Sequence, residues 1–503
     1  MNRPNKLVPN IANLMAWGSL LVMAVITAYL VCHLSPLEVF IVVLLYFFLI
    51  IMVLFPEHAF YFVILCYPLI SERISIRLAE NLPALRPLRL YSLFLFVYLI
   101  SQAQRKEIFE RRFISPEKLM VAMITLLGIS SFRASHPMRA IQVLWDSFIT
   151  PFLFYLFVKT KIGFPSNRAK ICLVFVILGL YSSLIGILQY ITKSDLGFTN
   201  LYPGMRRISG PFISAEVFGS VLGIAIPFLL YLFLETKQRE TLSRAFSSKF
   251  LVHFLSKSFF ALSTLSMVLG IFVSFFRTCW FTFVAQLCAL SFSPLRVFKK
   301  YARLAFIGSL LVFILGSKYC EPLGRRLMAK YSVYDRILLA ETAIYMGLKN
   351  PVWGVGFTNF RYLYGHYLKT GAISYYYSLA LREEVAGGRK LETHNSYLQI
   401  LAEGGIIVFL LFISILLIFL KRLTILFKYT YRERSFLEVG WSVTLALIFI
   451  AFAVPQFFQS MIYYSSFVNV TFFIAMGFLT NDFYRIIKIQ ENRENENESA
   501  ADK

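Results

Sequence analysis

Charge is scarce in this 503-residue chain: only 15% of residues are charged, and Asp and Glu number 27 against 50 Lys and Arg. Soluble domains carry about a quarter charged residues, so a water-soluble enzyme is excluded. Several motifs are missing as well. There is no GxxxxGK[ST], HExxH or GxSxG, and no DxD to hold a metal on a nucleotide sugar, which removes ATP hydrolysis and zinc peptidase chemistry. Of the 6 cysteines, Cys32, Cys66, Cys172, Cys279 and Cys288 lie in or beside apolar runs and only Cys320 is expected to face water. With no CxxC either, a disulfide framework is excluded. Arg3 and Lys6 precede an apolar stretch from Ile11 to Cys32 that is too long for a signal-peptide core and has no small-residue cleavage site, so it reads as a retained first span.

What is abundant is hydrocarbon: 58% of residues are hydrophobic and the mean hydropathy is +0.67. Apolar runs near 11–32, 37–55, 57–71, 88–103, 118–134, 140–158, 170–191, 213–234, 256–276, 279–294, 303–316, 404–420, 438–460 and 463–481 suit helices crossing a bilayer core, each needing about 20 apolar residues. The expected fold class is an all-α polytopic membrane protein with about 12–14 transmembrane helices. The formal charge of +23 would suggest nucleic acid in a soluble protein. Here the basic residues sit between apolar runs, where they set orientation and meet anionic membrane lipid, and no nucleic-acid partner is expected. With the N-terminus inside, the clusters around Arg105, Lys159, Lys237, Arg296 and Lys421 all fall in the cytoplasm, as do both termini. The organisation then reads as 1–316, an N-terminal transmembrane region of about eleven spans; 317–403, a large outer loop containing helices; 404–482, a C-terminal region of about three spans; and 483–503, a polar cytoplasmic tail expected to be disordered.

Chemistry is concentrated on the outer side. Arg206 and Arg207 occur in GMRRISGPF and Arg277 in SFFRTCW. A guanidinium at a membrane edge either has an anionic partner or snorkels to headgroups; for Arg206 the headgroup reading is preferred. Asp146 or Glu216, the acidic residues expected at membrane depth, could neutralise one of these arginines. His394, in ETHNSYLQILAEGG, is either a structural histidine or a general base near neutral pH, with Asn395 able to orient an imidazole or a sugar hydroxyl. Glu403 reads first as a carboxylate at a helix N-terminus. Arg336 on a helix would pair with Asp335 or Glu341, and Gly354, Gly356 and Asn359 after it suit a turn.

In this order, R-x-x-G-x-F (Arg207, Gly210, Phe212), S-x-x-R (Ser274, Arg277), R-x(13)-N-P-x-x-G-x-G-x-x-N-F from Arg336, and HNSYLQILAEGG resemble the O-antigen ligase and O-antigen polymerase superfamily. The resemblance implies a GT-C-like glycosyltransferase of the bacterial inner membrane. It would move a glycan from an undecaprenyl-diphosphate donor to an acceptor hydroxyl on the periplasmic side, with no metal or other cofactor. It implies that Arg207 and Arg277 grip the diphosphate, with Arg336 the next candidate, and that His394 activates the acceptor. Asn395, Glu403, Gly354, Gly356, Asn359 and Glu216 would support them. The acceptor could be lipid A core, as in a ligase, a growing glycan, as in a polymerase, or a protein side chain. A transporter of lipid-linked sugars is the reading from another class, but it should show inverted repeats, and no internal repeat is evident.

Overall fold

The protein is described from a computed structural model covering residues 50–70, 87–103, 115–194, 196, 207–242, 249–319, 330–367, 392–433 and 435–501. The chain divides into two compact units, Met1–Phe62 and Val63–Lys503. Of the first, residues 50–62 are described and are helical on either side of Phe55. The expected span at 11–32, most of that at 37–55, Arg206, and the parts 320–329 and 368–391 of the outer segment lie outside the described residues.

Every element among the described residues is a helix. In chain order they are α1 (Pro56–Ile70), α2 (Pro87–Ala103), α3 (Pro116–Ser131), α4 (Pro137–Ile162), α5 (Arg168–Thr192), α6 (Ala215–Leu242), α7 (Lys249–Val273) and α8 (Arg277–Ser291). There follow α9 (Arg296–Tyr319), α10 (Lys330–Lys349), α11 (Phe360–Tyr367), α12 (Ser396–Arg432), α13 (Phe436–Gln456), α14 (Met461–Tyr464) and α15 (Ser466–Ala501). Each apolar run expected from residue 57 onward coincides with one of these. Six, Pro137–Ile162, Pro165–Thr192, Ala215–Gln238, Ser396–Arg432, Phe436–Gln456 and Ser466–Asn497, are long and apolar enough to cross a membrane, and Leu88–Ser101 and Ser258–Val273 are shorter apolar helices. The protein is an all-α polytopic membrane protein.

The tail departs from expectation. The segment expected to be disordered from 483 continues α15 as helix to Ala501. It contains neither Pro nor Gly, so a helix already nucleated in the bundle propagates through it at little cost, and Arg493 reaches Glu433 at 2.9 Å.

Polar residues inside the spans answer the needs of the backbone. Pro151 cannot donate to the carbonyl four residues earlier, and helix α4 opens into a π turn at Trp145–Ile149. The freed Ser147 carbonyl is taken by Asn469 Nδ2 of α15 at 3.1 Å. Pro227 frees the Gly223 carbonyl in the same way, and Gln286 Nε2 of α8 takes it at 2.9 Å. Such repair by neighbouring helices is what lets proline persist where no water can reach.

The bundle has two polar ends. At one, Arg168 bonds Asp482 at 2.5 Å and Glu438 at 3.0 Å, Trp441 Nε1 donates to Asp482 at 2.8 Å, and Lys159 meets the buried Glu117 at 2.6 Å. These residues all belong to the ends expected to face the cytoplasm. The residues expected on the outer side gather at the other end and form the site below.

Candidate active site

Three short segments bring arginines together. The stretch before α6 is pinned by Gln189 Nε2, which donates to the Gly210 carbonyl at 3.0 Å, and by Phe212, buried against Phe218 and Phe467. Arg207 is thereby held, exposed, just ahead of the first turn of α6, which carries Glu216. Between α7 and α8 the chain reverses through Phe275 at φ 50°, with Ser274 Oγ accepting from Phe276 N at 3.2 Å. Helix α8 then begins on Arg277 with no side-chain cap, an arrangement that favours anions. Cys279 Sγ lies 3.8 Å from the Glu216 carbonyl, which sets the first turns of α8 and α6 side by side. Arg336 comes from α10.

Their charges act on one another. The half-buried Arg336 guanidinium has its proton affinity lowered first by burial and then by the positive charge of Arg277; Glu216 opposes this and Arg207 adds to it. Arg207 acts in turn on Glu216 and on Arg277. None of these four side chains makes a hydrogen bond or ion pair with another described residue. Other arginines behave differently: Arg89 holds Asp146 through two bonds of 2.7 and 2.6 Å, and Arg422 donates to Thr480 at 3.0 Å. The expectations for the acidic residues are thus divided, since Asp146 is committed to Arg89 while Glu216 sits among the candidate arginines. Arg336 forms no ion pair with Glu341 and feels the charges of Arg277, Glu216 and Arg207 instead; the side chain of Asp335 lies outside the described residues.

His394 occupies a tight turn ahead of α12, with φ 51°. Left-handed backbone is costly for a residue with a Cβ and persists only where surrounding bonds enforce it. Here Thr393 Oγ1 donates to the Asn395 carbonyl at 2.7 Å and accepts from Asn395 N at 3.1 Å. Asn395 caps α12, its Oδ1 accepting from Leu398 N at 3.0 Å, and its Nδ2 donates to the Phe457 carbonyl at 3.2 Å. Its amide is therefore committed to holding the turn rather than to a ligand. The ring of His394 lies with Nδ1 3.2 Å from Gln459 Oε1.

Glu403 is fully buried and caps a helix other than its own. Its Oε2 accepts from Thr358 N at 2.9 Å and its Oε1 from Phe360 N at 3.1 Å and Gln399 Nε2 at 3.3 Å, so it serves the N-terminus of α11. The 351–359 turn docks at a kink in α12 where Gly405 has φ 80° and ψ −178°. Val355 N donates to the Ala402 carbonyl at 2.8 Å and Ile406 N to the Pro351 carbonyl at 2.7 Å. Gly354, at φ 62°, rests so closely on the Glu403 backbone that a Cβ would collide with its carbonyl group. Gly356 lies over the Arg133 carbonyl, and Asn359 ties the same turn to the α3–α4 junction, accepting from Ser135 N at 2.7 Å and donating to the Arg133 carbonyl at 3.1 Å. These residues shape the outer loop and present no free group to a ligand. Gly354→Ala is expected to destabilise this docking by about 1–3 kcal/mol, the usual range for overpacking, read as a lower thermal midpoint of the detergent-solubilised protein. An unchanged midpoint would show that the turn can slide off α12.

The segment Gln456–Ser465, expected to end one span and open the next and given no site role, leaves the helix at Gln456 and joins the two halves. Pro455 and the polar Gln456, Gln459 and Ser460 closing an apolar run were the available signal. Ser396 Oγ donates to Gln456 Oε1 at 2.5 Å and to the Gln459 carbonyl at 2.9 Å, and Thr393 Oγ1 bonds Ser460 Oγ at 2.9 Å. On the other side Phe458 stacks on Phe281, ring centroids 6.1 Å apart, and Ser220 Oγ lies 3.6 Å from Met461 Sδ. Phe281 is one turn from Arg277, and Ser220 one turn from Glu216. The histidine turn and the arginine cluster thus flank one short segment.

Residues 262–413 match the family model described as O-antigen ligase. Over this span the chain is similar to the O-antigen ligase family. The matched span runs from α7 into α12 and includes Arg277, Arg336, His394 and the docked 351–359 turn; Arg207, Glu216 and Gln459 lie outside it. No curated protein matches the chain.

Proposed function

We propose that the protein transfers a glycan from undecaprenyl diphosphate to an acceptor hydroxyl at the periplasmic face of the bacterial inner membrane, with inversion at the anomeric carbon. The observation that carries this reading is the convergence of Arg207, Arg277 and Arg336, from three different segments, around one carboxylate and without partners among the described residues. Three guanidinium groups beside one Glu216 leave an excess of positive charge, which calls for an anion of more than one charge. A diphosphate fits, because planar guanidinium forks match its oxygens two at a time.

In this mechanism the acceptor oxygen attacks the anomeric carbon as its proton passes to His394. The bond from that carbon to the diphosphate oxygen breaks, and the electron pair leaves with the diphosphate, whose growing charge the arginines stabilise. Glu216 balances the cluster while it is empty. The distribution of basic residues supports a cytoplasmic placement of both termini, with the site on the opposite side. Lipid A core as acceptor makes the protein a ligase; a growing glycan makes it a polymerase, and a protein side chain an oligosaccharyltransferase.

Purified protein incubated with an undecaprenyl-diphosphate-linked oligosaccharide and each acceptor class in turn is expected to release free undecaprenyl diphosphate with one of them, lipid A core above all. Release with none of the three, from protein that still binds the donor, would overturn the assignment.

A further inference from the structure

We propose that Gln459 is the positioning residue that sets the tautomer of His394, holding the proton on Nδ1 so that Nε2 carries the lone pair that takes the acceptor's proton; this rests on the proposed role of His394 as base. A neutral imidazole can hold its proton on either nitrogen, and only one arrangement leaves the working nitrogen basic. The group facing Nδ1 decides which. Here it is the amide oxygen of Gln459, at 3.2 Å, and an oxygen can only accept, so Nδ1 donates.

The pair is held from both sides. Gln459 is 6% exposed, and its carbonyl accepts from Ser396 Oγ at 2.9 Å. Ser460, the next residue, bonds Thr393, immediately before His394, at 2.9 Å. The left-handed backbone at His394 is maintained by the same clamp, which keeps the turn facing Gln459. When Nε2 takes a proton, the imidazolium hydrogen on Nδ1 remains bonded to an oxygen already in place, and no group has to reorient during the transfer. Among the described residues, the charged groups near the turn include Glu392, which faces Arg361 of α11 at 3.9 Å, and on the α8 side Arg277, one turn from Phe281; the Gln456–Ser460 segment contains no charged residue.

Two substitutions separate positioning from packing, assayed at matched protein level with the donor and the acceptor that supports transfer. Gln459→Leu keeps the bulk and removes the acceptor; kcat is expected to fall about 10- to 100-fold, as when an outer partner of a working histidine is lost, with KM for the donor unchanged. Gln459→Glu keeps an oxygen facing Nδ1 and adds charge. It is expected to recover most of kcat, and the acid limb of the kcat–pH profile should move to higher pH, because a carboxylate stabilises the imidazolium and the base is then lost at a higher pH. Wild-type kcat in Gln459→Leu would overturn the proposal. Equal loss in both variants with the acid limb unmoved would also overturn it, marking Gln459 as a packing residue. His394→Ala run alongside distinguishes the levels: full activity there removes the base itself, whereas an inactive His394→Ala beside a fully active Gln459→Leu removes only the positioning role.

Discussion

Replacing His394 by alanine is expected to lower glycan transfer about 100- to 10,000-fold while leaving expression and donor binding near normal. A general base acts chiefly in the transition state, so its removal lowers kcat and kcat/KM together and leaves ground-state binding of the lipid-linked donor almost intact. The surroundings of His394 favour this outcome over collapse of the fold. The turn is held by Thr393, Asn395, Ser396 and Ser460 through bonds that do not involve the imidazole, so the clamp remains in His394→Ala. The measurement is initial transfer rate at matched amounts of folded protein in membranes, with donor binding assayed separately. Loss of activity in proportion to loss of folded protein would make His394 structural, and full activity would end its assignment as base.

The helices were legible because apolar runs of span length admit few other structures in lipid. The tail's composition and its structure diverge: NRENENES resembles a disordered segment in composition, but it follows a membrane helix without a breaker, and the helix continues through it. Charge patterning grouped Lys159 and Arg168 at one helix end, yet it did not foretell pairing. Arg168 read as one more cytoplasmic cation, and its partners Glu438 and Asp482 lie 270 and 314 positions away, a separation that periodicity cannot bridge. Glu403 read as a helix N-terminal carboxylate, and it is one, but for α11, which only the fold brings beneath it.

The site itself was legible in its individual members and illegible in its assembly. Arg207 and Arg277 stood out as basic residues beside apolar runs and Arg336 as one on a helix of the outer loop, and their order matched a family pattern. That their charges act on one another follows only from the fold, which sets α6 beside α8 and seats α10 on α12. Gln459 left no comparable signal, since a lone glutamine closing an apolar run is what any helix end at a membrane surface can show. Its meaning depends on the turn at His394 folding back onto it, a contact between residues 65 positions apart.

Substitution at Arg277 tests the arginine cluster most sharply, because charge and shape can be varied separately. If the guanidinium forks onto a diphosphate, Arg277→Lys keeps the positive charge but loses the planar two-point match. Losing hydrogen bonds to a charged group costs about 1.5–3 kcal/mol, so transfer is expected to fall roughly 10- to 150-fold, and Arg277→Ala should be no better. A headgroup role predicts near-equivalence of Lys and Arg, since both snorkel. The structure favours the first outcome: Arg277 opens a helix whose first amides have no side-chain cap, beside two further arginines and with no bond to a described residue. The same pair of substitutions at Arg207 should behave alike, whereas Arg206, read as a headgroup contact, should tolerate both. The deciding measurement is transfer in membranes at matched protein level, with donor affinity read in parallel. A fully active Arg277→Lys enzyme would show that this residue anchors α8 and that the diphosphate is gripped by Arg207 and Arg336 without it.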